Sequence, residues 1–320
     1  MKRQYYFITA LLAIAITGMS SCISSQSLIP VKGNGMPVDK SFNVSDFKGI
    51  EVSGGFDVIL SQGSSEKVIL SAQENLYNHI KVDVVQGVLR IYTEGNLMPT
   101  RPMKAMISFK DIDHLDVSGG GDVTAETPLN CKELGIEISG GGDLSSELNS
   151  EDFSCRISGG GDARLNGKAT RYSITMSGGG DLETNLEASS VNCELSGGGN
   201  LILKSQQEAS EVKIDLTGGG DADALVNTTS MQCSVSGGGD LTARGKAGEL
   251  DVRLGGGGDL NASSLETAVV SFQANGGSDI YLQASKEIKG TISGGGDVYY
   301  SGSPDVVAID THGGSEVHKQ

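Results

Sequence analysis

The chain has 320 residues, 47 of them glycine against 6 prolines and no tryptophan, while hydrophobic residues still make up 37%. Collagen needs glycine at every third position with abundant proline, and a disordered linker lacks the alternating Val, Ile and Leu found here, so both are excluded. With 24 Lys and Arg against 40 Asp and Glu the net charge is -16, which argues against nucleic acid or an anionic membrane surface as partner, since both select basic patches.

Lys2 and Arg3 form a short basic segment, and Phe7 to Ile16 is an apolar run too short to span a bilayer. Residues 1–21 therefore read as a signal peptide. Met19-Ser20-Ser21-Cys22 resembles the lipobox of bacterial lipoproteins, with Met19 in place of the commoner Leu. By that resemblance Cys22 becomes the mature N-terminus and carries the lipid, so a membrane lipid anchor is the first expected partner. Loss of Lys2 and Arg3 leaves 22 basic against 40 acidic residues, a mature charge of -18. Residues 22–41 contain Ser, Gly and Pro and read as a tether. No acidic run follows Cys22, and such runs mark surface export in some Gram-negative groups. Either face of the outer membrane thus stays open.

Residues 42–101 read as a β-rich cap that starts a longer assembly. Phe47 to Val52, Asp57 to Leu60, Lys67 to Leu70, Ile80 to Val84 and Val88 to Tyr92 alternate as strands, and Gln86-Gly87 joins the last two as a hairpin. Glu74 to Tyr77 fits one helical turn. Glu94 to Arg101, followed by Pro102, reads as a loop. A cap is needed because an open sheet end exposes an unpaired strand edge.

Residues 102–320 are governed by a repeat. Taking the last residue of Ser-Gly-Gly-Gly-Asp as a marker gives Asp122, Asp143, Asp162, Asp181, Asn200, Asp221, Asp240, Asp259, Asp279, Asp297 and Glu316, spaced 18 to 21 residues apart. Ser53-Gly54-Gly55-Phe56-Asp57 is an earlier relative that falls outside this spacing. Within each unit the apolar residues alternate, as in Tyr172, Ile174 and Met176 or Leu250, Val252 and Leu254, with further inward positions one and three after the marker. Each unit thus reads as a strand, a glycine corner, a second strand and a polar connection such as Asn166 to Ala169. A single unit cannot bury its inward face alone, whereas stacking at about 4.8 Å per unit buries all of them in one column. The expected fold is all-β, a right-handed parallel β-helix of about 10–11 rungs and roughly 50 Å length. The triplet glycines read as corner residues throughout, Gly179 among them. A phosphate-cradling loop is excluded, because no helix and no placed Lys follows the glycines. The polar stretch Ser315 to Gln320 blunts the far edge.

Cys155, Cys193 and Cys233 fall at one inward position on alternate rungs. Two rungs separate neighbours by about 9.6 Å, too far for a disulfide, so they read as buried free thiols. Cys131 sits in a connection with no obvious partner. The four histidines lie elsewhere, and no metal, catalytic or cofactor-binding residues are assigned.

Phe47-x-x-Ile50-x-Val52-Ser53-Gly54, Asp57-Val58-x-Leu60-x-Gln62-Gly63, Glu74-Asn75-Leu76 and Gly87-x-Leu89-x-Ile91, in that order, resemble the auto-transporter adhesin head GIN domain family. The glycine-aspartate repeats resemble that family's body, so the resemblance covers about residues 42–317. It implies a parallel β-helix without a recognised catalytic set, and an adhesive role assigned by analogy. The uniform glycine triplets and the long regular array depart from the family pattern.

Three function classes follow. A non-enzymatic, lipid-anchored cell-envelope protein would adhere, bind or space, with an extracellular or envelope protein or a glycan as ligand. A polysaccharide-acting enzyme would gather carboxylates, Arg or Lys and aromatic platforms on one groove. Outward positions two and four after the markers show no such gathering; only Tyr281 and Tyr299 form a small pair. A calcium-binding array would use the Asp ladder, as the glycine-aspartate repeats of β-rolls do. Against that, Asn200 keeps the motif without charge, which favours Asp as a hydrogen-bond acceptor within its own corner.

Overall fold

The computed structural model describes residues 30–320; Cys22 and residues 1–21, read above as a signal peptide, lie outside the described residues. Short strands come first: β1 (Val31–Lys32), β2 (Pro37–Phe42), β3 (Gly49–Ser53), β4 (Phe56–Gln62) and β5 (Lys67–Gln73). A 3-10 turn at Glu74–His79 leads to β6 (Ile80–Val85), β7 (Val88–Thr93), β8 (Leu97–Met98) and β9 (Met103–Phe109). The array then begins with β10 (His114–Ser118), β11 (Val123–Ala125) and β12 (Leu129–Gly140). It continues through β13 (Leu144–Gly159), β14 (Ala163–Gly178), β15 (Leu182–Gly197), β16 (Leu201–Gly218), β17 (Ala222–Gly237), β18 (Leu241–Gly256), β19 (Leu260–Gly276) and β20 (Ile280–Gly294). β21 (Val298–Gly302), β22 (Val306–Gly313) and β23 (Val317–Lys319) close it. The result is a parallel β-solenoid of about 11 turns.

Each turn pairs in parallel with the next, in unbroken register from β13 to β15 and with local register shifts in the β15–β16, β16–β17, β18–β19 and β19–β20 pairings. Tyr172, Ile174 and Met176 of β14 lie against Val191, Cys193 and Leu195 of β15, as the alternation requires. The column Cys155, Ile174, Cys193, Ile214, Cys233 and Val252 is continuous, and its cysteines are buried and free. Burial pushes the thiols of Cys155 and Cys193 up to about 12 and that of Cys233 higher still. None is a thiolate at neutral pH, so they act as small apolar side chains.

Two expectations need correction within a turn. The Asn166 to Ala169 segment is part of one continuous strand, with Gly167 against Leu148 and Ala169 against Ser150. The strand bends there at Gly167, φ 129°, and the inward alternation shifts phase after Ala169, with Thr170 and Arg171 both exposed before buried Tyr172. Ala169 and Ala188, and beyond a register shift between β15 and β16 Ala209, Thr228 and Ala247, line a second, narrow buried column. Cys131 joins this column beside Ser150. Thr228 keeps its hydroxyl satisfied by donating to the carbonyl of Ala209.

The second correction concerns the triplet. Gly178 has φ +130°, and a Cβ there would fall 1.7 Å from the carbonyl oxygen of Gly159, one turn below. Gly180 would place a Cβ 1.9 Å from the carbonyl oxygen of Gly161. Gly179 meets nothing within 4 Å and lies outside the positive-φ range. Two of the three glycines are therefore forced by backbone approach, and the middle one is not.

The residues before the array form short strands. β6 and β7 form the hairpin, and Gln86 and Gly87 take φ 51° and 79° at its turn. β2, expected within the tether, instead pairs antiparallel with β5 and covers its edge. β1 pairs with β8 and draws the loop after β7 against the cap. Ser53 to Asp57 joins the repeat register after all. β3 pairs with β10 so that Ser53 faces Ser118, and β4 pairs with β11 so that Val58 faces Val123. The 65-residue spacing from Asp57 to Asp122 hides this register in the sequence, because β5 to β9 build the cap between those two turns. Phe56 replaces the third glycine there and buries its ring in the core. At the far end Val306 and Val307 stay exposed, so the polar Ser315 to Gln320 segment leaves part of the last turn's inward row open.

Gly178→Ala and Gly180→Ala should each lower unfolding stability by about 2 kcal/mol or more, the scale of forced backbone strain. Gly179→Ala should leave it within about 0.5 kcal/mol, as for open surface sites. Thermal and denaturant unfolding of the three variants checks the distinction.

Candidate functional site

The marker residues form one line along the rod. The backbone N–H of each donates to Oδ1 of the marker one turn earlier. Asp143 donates to Asp122 at 3.0 Å, Asp162 to Asp143 at 2.9 Å, Asp181 to Asp162 at 2.9 Å and Asp240 to Asp221 at 2.9 Å. Asp57 starts the line with a longer bond from Asp122 at 3.4 Å, and Glu316 ends it by donating to Asp297 at 2.8 Å. The acceptor role read from Asn200 is correct, but the donor lies on the next turn, not in the same corner. Asn200 Oδ1 accepts from Asp221 N–H at 3.0 Å, and its side-chain amide donates back to Asp181 at 3.0 Å. The ladder thus ties turns together along the axis. Among the described residues no group of three or more His, Cys, Asp or Glu side chains converges as metal ligands.

Two residues after the markers runs an outward column: Arg164, Glu183, Ile202, Asp223, Thr242, Asn261, Tyr281, Tyr299 and His318. Its chemistry changes from turn to turn. The expected Tyr281–Tyr299 pair is present, with ring centroids 4.8 Å apart and planes within 9°. His318 extends it, 4.9 Å from Tyr299. The rings stack on one another along the axis, so Tyr299 lies between Tyr281 and His318. Ion pairs also run between turns, as in Arg156–Glu137 at 2.8 Å and Arg244–Asp223 at 3.1 Å. Both are exposed and contribute at most about 1 kcal/mol each.

A cleft of about 360 Å³ lies across β3, β10, β12 and β13, lined by Glu51, Asp116, Glu137, Arg156 and His114. The ladder register sets Glu51, Asp116 and Glu137 side by side on three successive strands. The Asp116 carboxyl is raised from its ordinary value, first by desolvation and then by Glu137 and Glu51, while His114 opposes the shift. Arg156 is engaged by Glu137. Sequence reasoning missed this group because Glu51 precedes the cap insertion. The one signal was the Ser-Gly-Gly at 53–55, which aligns Glu51 with Asp116 once it is placed on the repeat.

Fold and surface together define a glycine-cornered β-solenoid with a folded cap, whose outward faces carry variable side chains on a repeated frame. The chain belongs to the family described as "Putative auto-transporter adhesin, head GIN domain", whose model matches residues 46–210 and again 194–304. Among solved structures it is similar to a "putative adhesin" from Parabacteroides distasonis, at 21% identity, TM-score 0.41, covering 91% of this chain and 100% of that one. A "Putative lipid binding protein" from the same organism matches at 19% identity, TM-score 0.39, with 91% and 100% covered. A "putative adhesin" from Parabacteroides merdae matches at 20% identity, TM-score 0.38, with 91% and 98% covered. No curated protein matches.

Asp181→Asn should be nearly neutral, since Oδ1 still accepts from Asn200, whereas Asp181→Ala should cost about 1 kcal/mol. Melts of the wild type with calcium and with chelator should coincide. A large calcium-dependent rise, lost in Asp181→Asn, would instead establish the ladder as a metal site.

Asp116 gives a pH test. Its folded pKa is raised, so the folded state binds this proton more tightly than the unfolded chain. Stability from this group is greatest below the unfolded carboxylate value and declines as pH rises through it towards the folded value. Asp116→Asn should therefore raise the melting temperature slightly at pH 7 and leave it unchanged near pH 3.

Proposed function

We propose that the protein is a non-enzymatic, lipid-anchored envelope rod that binds an extracellular or envelope protein or a glycan through its long side face. The observation that carries this reading is the repeated frame with variable outward columns over about 11 turns. One turn offers little contact area, but many turns in fixed register add weak contacts into avidity. Membership of the adhesin-head family supports the same reading. Cys22 supplies the anchor through its lipid, and among the described residues no helix is long and apolar enough to cross a membrane.

Excising residues 163–200 tests the binding half. It removes two 19-residue turns and joins Asp162 to Leu201, keeping the register of Ala163, Leu182 and Leu201. Binding of purified protein to glycan arrays and to immobilised surface proteins should fall several-fold for the shortened rod while its fold is kept. Unchanged binding would place recognition at one end and overturn the side-face reading. Cys22→Ala should move the protein from the membrane fraction to the soluble one; retention in membranes would place the anchor elsewhere.

A further inference from the structure

The two most exposed large apolar side chains among the described residues are Met36 and Met98, at 71% and 53%. Both belong to the cap, and one buried residue holds their loops together. Gln73 is 1% exposed; its side-chain amide donates to the carbonyl of Gly35 at 2.8 Å and to Thr100 Oγ1 at 2.9 Å. Its Oε1 accepts the Thr100 N–H at 2.9 Å, and Thr100 Oγ1 donates to the carbonyl of Gly33. Gly33 N–H in turn donates to the carbonyl of Met98. Two exposed methionines on a cross-tied corner are fixed in place, and nothing in the cap's own packing uses them.

The same corner is where the chain enters the fold. β1 starts at Val31 and pairs Lys32 with Met98. Cys22 precedes Pro30 by eight residues, a reach of at most about 29 Å when fully extended. Charge separates this end from the rest. Residues 30–110 hold nine Lys and Arg against eight Asp and Glu, and residues 111–320 hold 13 against 32. The whole-chain charge that argued against an anionic surface thus resides on the rod, and the cap is close to neutral. Lys32 and Arg101 are exposed beside the methionines and, among the described residues, form no ion pair.

We infer that the cap rests on the lipid surface through Met36 and Met98, so that the rod is seated on the membrane by this corner rather than held only by a loose tether. The inference builds on lipid attachment at Cys22. Methionine is flexible and apolar enough to enter the boundary between headgroups and chains, while flanking Lys and Arg remain at headgroup level. The acidic rod is repelled from anionic headgroups and points away, which leaves its side face free.

The chain has no tryptophan, so Met36→Trp, Met98→Trp and, as a mid-rod control, Ile202→Trp each create a single reporter. The full lipidated protein is reconstituted into phosphatidylcholine–phosphatidylglycerol vesicles, with and without brominated lipids, after melting curves confirm each fold. Met36→Trp and Met98→Trp should show blue-shifted emission and several-fold stronger bromolipid quenching than Ile202→Trp. Vesicle-bound protein with equal, weak quenching at all three sites would overturn the seated corner while leaving the anchor intact. Absence of vesicle association would overturn both.

Discussion

Everything in this protein depends on how closely one glycine corner can lie on the next. At Gly178 and Gly180 the space a Cβ would need is already filled by carbonyl oxygens of Gly159 and Gly161. That approach lets the backbone hydrogen bonds run through the corner as well as along the strands: Gly179 N–H reaches the carbonyl of Gly159, and Leu182 N–H reaches that of Asn200. The corner is therefore part of the ladder and not a gap in it. The aspartate line adds one more bond per turn beside it, from a backbone N–H to the carboxylate below.

A corner held in this way sets the period, and the period sets the core. The buried columns are single file, so one residue on each turn meets its equivalents above and below. Cysteine, isoleucine and valine alternate freely in one column because each meets only those neighbours. Polar residues enter where a partner is built in, as when Thr184 donates to the carbonyl of Leu165 and lies 3.1 Å from the buried Tyr172 hydroxyl. Ser205 and Ser278 are buried with no partner for their hydroxyls, and nothing in the structure explains them.

The frame fixes inward residues, corner glycines and markers, and it leaves the outward columns free to differ. Arginine follows serine, isoleucine follows glutamate and tyrosine follows asparagine along one such column without disturbing the turns. A recognition surface can change on this scaffold with little effect on stability. The cap differs in kind: its antiparallel strands β2, β5 and β6 cover the first parallel edges, and its exposed methionine corner lies where the described chain begins.

The sequence by itself determined the all-β class, the repeat, the inward alternation, the free cysteines and the acceptor role of the markers. These are local or strictly periodic properties, and a two-residue alternation or a 19-residue spacing can be read without coordinates. It also indicated the family through ordered motifs in the cap. Only the tertiary structure decided which glycines are forced, because Gly178, Gly179 and Gly180 are the same residue in one row and differ only in what lies one turn below. Only the structure joined Asp57 to the marker line and Glu51 to Asp116 and Glu137, because the inserted cap strands break the spacing between turns that are neighbours in space. The donor to each aspartate, the stacked Tyr281, Tyr299 and His318 rings and the Gln73-tied methionine corner are likewise contacts between residues distant in sequence, and a period alone does not reveal which atoms meet.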